Sequence, residues 1–300
     1  MKKILLTLMV LLSSFSYASE LERIKKEGKI VLAVRNDSFP FAYVDGTDAL
    51  PGSTIYQNNP IGYSIDICNK LVESIKKEVQ QPNLKVEYLT IDASQRIKSV
   101  VSGKASIECG VTTNTKERRD NVEFTIPHFV SSVKFLSLSK DNLTEIDQLL
   151  NSTVVVIKGS TELILMKKIN TQKLGKMNIL EVQSNEEAVS YLRNNKAKAY
   201  INNDIFLYEA KALNPKEFSI SNKTLEIEPY SLMIAKSDKD FKKFIDTEMI
   251  KLMKSGEITK LYSKWFLEPV APNKINLNLT MSPLMKEMIK YPSDKVFDSF

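Results

Sequence analysis

GVTTNTKER, residues 110–118, is the stretch from which the fold can be read outward. The short apolar run before it, residues 105–109, reads as a strand ending at Gly110. Asn114 reads as a helix N-cap, with Glu117 three residues on completing a capping box. A helical side chain leans back toward its helix start, so Arg118 can aim at the same point as Thr113. A hydroxyl, free backbone N–H groups and a guanidinium around one point suit a carboxylate, which the guanidinium can grip in bidentate fashion. An ordinary capped helix with a solvated arginine fits the same residues, so the surrounding chain has to decide between the two.

On the N-terminal side, residues 29–34 (KIVLAV) form a β-rich apolar run that fits a buried strand. Arg35 follows at once, at the strand end where open α/β sheets place their ligands; pairing with an acid such as Asp37 is the plainer role. Residues 46–60 are polar, rich in turn residues and without periodicity, so they read as a loop. Amphipathic helices are expected from Gly62 through residue 79 and around Arg96, with a strand at 84–91 between them. This alternation predicts a mostly parallel α/β sheet.

On the C-terminal side, residues 153–158 (TVVVIK) read as a strand. Gly159, Ser160, Thr161 and Glu162 then open a helix, which repeats the first motif as a second potential anion cradle. Residues 185–194 read as a helix, and residues 197–201 as a strand that empties into Asn202, Asn203 and Asp204. Two long β-type runs, 130–139 and 225–235, bracket this βαβ region. They suggest a second lobe inserted into the first and joined to it by two crossover strands, a layout that can close on a ligand like a hinge.

The chain opens with Lys2 and Lys3, an apolar run at 4–12 and small residues at Ser16 and Ala18, the pattern of a cleaved secretory leader over residues 1–18. The apolar run is too short for a stable membrane anchor. Of 42 Lys+Arg two lie in the leader, and none of the 36 Asp+Glu do, so the remainder is mildly basic. No basic stripe interleaved with aromatics is present, which speaks against nucleic acid. No metal-ligand spacing, nucleophile elbow or phosphate loop occurs, and no cofactor is expected. The sole histidine, His128, reads as a rim or packing residue rather than a catalyst. Cys68 and Cys109 are either two buried thiols or a disulfide, which an oxidising compartment favours.

Together these motifs resemble the periplasmic amino-acid-binding proteins of bacterial ABC importers, and most of all their glutamate/aspartate-binding members. The likeness runs from LERIKKEGKIVLAVR through GYSIDIC, ECGVTTNTKER and VVVIKGSTE to SGEITKLYSKWF and the tail beyond Pro269. It implies an α/β type II periplasmic-binding-protein fold: residues 19–131 and 231–300 as one lobe, 132–230 as the other, joined by two crossover hinge strands. It also implies a periplasmic, monomeric protein that hands an acidic amino acid to an inner-membrane ABC permease. In such proteins the arginine matching Arg118 grips the α-carboxylate, Thr113 and the Val111 carbonyl meet the ammonium, and Ser160 and Thr161 serve the second lobe. Arg35 and Arg96 match arginines near the side-chain carboxylate, and three convergent arginines favour a ligand with two acidic groups. Asn185 stands where those relatives have a histidine, Ala93 where they have a serine, and Asn203 where they have the aspartate that meets the ammonium. Losing that charge weakens ammonium recognition by about 1.5–3 kcal/mol unless Asp204 takes over. A dicarboxylate, another polar amino acid, or dehydratase chemistry on the same fold are the alternatives.

Overall fold

A computed structural model of the 300-residue chain describes residues 19–44, 54–55, 60–236, 238–271 and 274–295. The expected leader and most of the 46–60 loop lie outside the described residues. Helix α1 (Glu20–Glu27) ends at Gly28 and leads into β1 (Lys29–Val34). A small pair, β2 (Asp37–Ser38) with β3 (Ala42–Tyr43), follows. Within the stretch expected to be only loop, β4 (Thr54–Ile55) forms a short antiparallel edge strand. Then come α2 (Tyr63–Glu78), β5 (Lys85–Thr90), α3 (Arg96–Val101), β6 (Ile107–Thr113), α4 (Lys116–Arg119) and β7 (Val122–Phe124). The crossover β8 (Phe129–Leu138) leads to β9 (Thr153–Ile157), α5 (Thr161–Gln172), β10 (Asn178–Val182), α6 (Asn185–Arg193), β11 (Ala199–Asn203), α7 (Asp204–Leu213) and β12 (Phe218–Ile220). The return crossover β13 (Glu226–Ala235) precedes α8 (Lys239–Lys254), α9 (Glu257–Phe266) and α10 (Pro283–Lys290).

One sheet runs through the whole protein in the order β10–β9–β11–β8–β13–β6–β1–β5–β4, with β12 on β8 and β7 on β13. Strands β6, β1 and β5 are parallel at one end, and β10, β9 and β11 are parallel at the other. The two trios are joined through β8 and β13, which pair antiparallel from Phe129 to Val133 and from Glu226 to Tyr230. Each crossover strand then continues in one trio's direction: β8 pairs with β11 and β12, and β13 with β6 and β7.

The cores segregate in the same way. The TVVVI run of β9 is apolar on both faces, as a strand covered on both sides requires. Val154 and Val156 pack with Phe135, Leu163 and Met166 on one face, and Val155 and Ile157 pack with Leu136, Leu192 and Leu207 on the other. The largest cluster joins Leu32, Val34, Ile67, Leu71, Ile245 and Phe266 at the opposite end of the sheet. Around the joint, Phe41, Tyr63, Phe129, Tyr230, Tyr262 and Phe266 form a continuous aromatic group, and Phe129 stacks on Tyr230 at 5.8 Å. A disulfide links Cys68 of α2 to Cys109 of β6, both fully buried.

The opening motif differs in two details. Its N-cap is Thr115, whose Oγ1 accepts from the Arg118 N–H at 3.2 Å, rather than Asn114. The strand does not end at Gly110 as expected but runs on to Thr113, paired with β13, and the Asn114 N–H beyond it still donates to the Pro229 carbonyl. The Asn114 side chain instead bonds Ser231 and Arg119, and α4 is a single short turn.

Candidate functional site

Where the two trios meet at the crossover pair, one cavity is lined by Arg35, Ser38, Ala93, Arg96, Val111, Thr113, Ile157, Ser160, Thr161, Glu162, Asn185, Asn202, Asn203 and Phe206. Eight of the ten residues singled out from the sequence therefore converge: Arg35, Arg96, Val111, Thr113, Ser160, Thr161, Asn185 and Asn203. Arg118 sits against the same wall. Its Nη1 donates to the Thr113 carbonyl at 2.8 Å, and its Nη2 reaches the Gly159 carbonyl at 3.4 Å. Asp204 is outside the lining. As the first residue of α7 it accepts from the Ser131 hydroxyl at 2.8 Å and from the Ser132 N–H, both on β8. The suggestion that Asp204 replaces the charge missing at Asn203 finds no support in this placement.

The arginines come from the ends of parallel elements in one trio. Arg35 follows β1 and pairs with Asp37 at 2.8 Å, the plainer role foreseen for it. Arg96 starts α3 and reaches across to the Gly159 carbonyl at 3.0 Å and to Thr112 Oγ1 at 3.3 Å. Burial, with the neighbouring Arg118 charge, pushes Arg96 down to about 9. Gly159 has φ +75°, and a Cβ there would press on Ser94 of the opposite wall at 3.3 Å, so only glycine turns this carbonyl toward both arginines. Ser160 caps the twelve-residue α5, accepting from the Leu163 N–H at 3.3 Å. Thr161 Oγ1 comes within 3.5 Å of Thr113 Oγ1, so the two walls touch. Asn185 bridges them too, donating to the Asp37 carbonyl at 3.3 Å while accepting from Asn202 at 3.1 Å.

Three buried acids are not among the residues singled out from the sequence as ligand-binding. Glu108 on β6 accepts from Thr112 at 2.8 Å; its Oε1 lies where a Cβ on Gly110 would collide at 2.1 Å. Burial raises its carboxyl. Glu162 lines the cavity, and burial, aided by the Glu228 charge, pushes it up to about 8. Glu228 on β13 accepts from Thr113 Oγ1 at 2.8 Å and from Asn203 Nδ2 at 3.0 Å. The available signal was an acid inside an otherwise apolar β run, as at Glu108 in SIECG. His128 is fully buried with Nε2 3.1 Å from Ser64 Oγ, and burial pushes its ring down to about 3. It is a packing residue beside the aromatic group.

The raised acid has a measurable consequence. An unfolded glutamate titrates near 4.5, so between that value and about 8 the folded state holds a proton at Glu162 that the unfolded state has released. Stability must therefore fall as pH rises through this window and level off above it. Urea unfolding of the ligand-free protein is expected to show a decline from pH 6.5 to 8.5. Glu162→Gln removes part of that decline, while Glu209, pushed up to about 8 by burial and Asp37, and Glu108, also raised by burial, retain the rest. A variant whose decline equals that of the wild type would contradict the assignment.

No helix among the described residues is long and apolar enough to cross a membrane. Among the described residues no group of three or more His, Cys, Asp or Glu could hold a metal ion.

The chain is 38% identical to the L-glutamate/L-aspartate-binding protein of Pseudomonas aeruginosa, over 92% of this chain and 89% of that one. It is 32% identical to the glutamate/aspartate import solute-binding protein of Escherichia coli, over 93% and 90%. Among solved structures, the solute receptor for L-cysteine of Neisseria gonorrhoeae superposes with a TM-score of 0.72 at 24% identity, covering 86% of this chain and 97% of that one. That likeness establishes the type II periplasmic-binding fold, with two α/β lobes joined by crossover strands. With residues 30–268 matching the family as a whole, the chain belongs to the bacterial extracellular solute-binding proteins, family 3.

Proposed function

We propose that the protein captures an acidic amino acid, L-glutamate or L-aspartate, between its two lobes and delivers it to an ABC permease in the inner membrane. It does so from the periplasm, as a monomer and without bond chemistry. The lobes are residues 19–131 with 231–300, and residues 132–230. The observation that carries this reading is a group of three buried arginines at the joint: Arg35 and Arg96 line the cavity, and Arg118 sits against its wall. Asp37 already pairs with Arg35, but among the described residues neither Arg96 nor Arg118 has a carboxylate within ion-pair distance, and a ligand with two carboxylates supplies partners for them. Arg118 and the α5 N-terminus at Ser160 and Thr161 take the α-carboxylate, and Arg35 and Arg96 take the second. Thr113, the Val111 carbonyl and Asn203 take the ammonium, and Asn185 lies on the facing wall. Arg96 and Arg118 both reach the Gly159 carbonyl, so the contacts that hold the ligand also draw the lobes together.

Calorimetry with L-glutamate, L-aspartate, L-glutamine and succinate tests this. Both acidic amino acids are expected to bind, and glutamine at least tenfold more weakly, since a lost charge-assisted hydrogen bond is worth about 1.5–3 kcal/mol. Arg96→Ala is expected to lower glutamate affinity about ten- to hundredfold and to narrow the gap to glutamine. Tight glutamine binding without glutamate binding would sink the proposal.

A further inference from the structure

The amino acid proposed above carries an ammonium on the same carbon as its α-carboxylate, so a complementary site needs a negative charge beside Arg118. Asn203 brings none, and Asp204 is engaged with Ser131 and Ser132 on β8. One carboxyl group stands at the required point. Glu228 is 2% exposed on the return crossover strand, and its Oε2 accepts from both Thr113 Oγ1 and Asn203 Nδ2. Those donors are the two side chains of the cavity wall assigned to the ammonium. Glu228 Oε1 is buried with no hydrogen-bond partner among the described residues, an expensive arrangement without a cation to meet it.

We infer that Glu228 supplies the negative charge of the ammonium subsite, with Asn203 holding it in place. The inference rests on the proposed amino-acid ligand. The Asn203 amide donates its Nδ2 to Glu228, which leaves its Oδ1 as an acceptor toward the cavity. Glu228 is the leading opposite charge felt by Arg118, the neighbour relation that an α-amino acid presents. Glu162, the other acid at this wall, is held toward its neutral form by burial and by Glu228 itself, so it is the poorer counter-charge near neutral pH. Glu228 on the crossover strand β13 takes one hydrogen bond from Thr113 of β6 and one from Asn203 of β11, so its carboxylate sits between the two trios.

The test compares L-glutamate with glutarate, which lacks only the amine, by calorimetry at pH 7. Wild type is expected to favour glutamate. In Glu228→Gln, glutamate affinity is expected to drop about ten- to hundredfold while glutarate stays within about threefold, so the preference collapses. Asn203→Asp alone is expected to gain little, because two carboxylates at 3.0 Å share a proton. The double variant Asn203→Asp/Glu228→Gln moves the charge rather than deleting it, and is expected to restore the preference for glutamate. Equal losses for both ligands in Glu228→Gln, or collapse of the preference in Glu162→Gln instead, would overturn the inference and leave the proposed function standing. Wild type binding neither compound would overturn the proposed function itself. Far-UV circular dichroism and the glutarate affinity together report that the variants are folded.

Discussion

Arg118→Ala is expected to abolish measurable L-glutamate binding, a loss of at least about a hundredfold. Arg118 is 8% exposed, and its guanidinium is held by the Thr113 carbonyl at 2.8 Å and the Gly159 carbonyl at 3.4 Å. Stripping one partner from a buried, hydrogen-bonded charge pair costs about 2–5 kcal/mol, much of it from leaving the other charge unpaired. In the proposed binding mode the unpaired group is the ligand α-carboxylate. Arg118→Lys is expected to recover only a small part, since lysine keeps the charge but loses the planar fork. Calorimetry and the glutamate-induced rise in melting temperature measure both variants. An alanine variant within about threefold of wild type would remove Arg118 from the site.

The second large effect concerns stability. Cys68 and Cys109 close a loop with a sequence separation of 41, for which the chain-entropy model gives about 4 kcal/mol of stabilisation. The bond also anchors α2 onto β6, the strand that carries Val111 and Thr113 into the cavity. Cys68→Ala/Cys109→Ala is expected to unfold about 10 °C below the oxidised protein, at roughly 2–4 °C per kcal/mol for a chain of this size. Glutamate affinity is expected to change little, because β6 stays paired to β1 and β13 without the bond. A stability loss below about 1 kcal/mol would show that the loop is already restrained in the unfolded chain.

Much of the fold was legible because it rests on local periodicity. The TVVVI and KIVLAV runs, their spacing from amphipathic helices, and the paired long β runs follow from what each segment must bury. Two of the positive groups were legible for a related reason, Arg35 directly after a buried strand and Arg118 in the first turn of a helix behind a strand end, whereas Arg96 was marked only by the family resemblance. The acids were not legible. In LEIEPYSLMIA, Glu226 and Glu228 alternate with apolar residues as on any strand with one wet face. Nothing local says that Glu228 turns toward Thr113 and Asn203.

The sequence by itself determined the class of fold, the interruption of one lobe by an insert, and the place of Arg35 and Arg118 at the ends of elements. All of these depend on the period of burial and on residue type at the ends of elements. The tertiary structure alone decided the partners. It spent Asp37 on Arg35, committed Asp204 to Ser131, ran β6 on to Thr113, and set Glu228 against Thr113 and Asn203. Charge complementarity acts over a few ångströms between residues far apart in the chain, Thr113 and Glu228 among them. Only the folded arrangement of β6, β11 and β13 sets those distances.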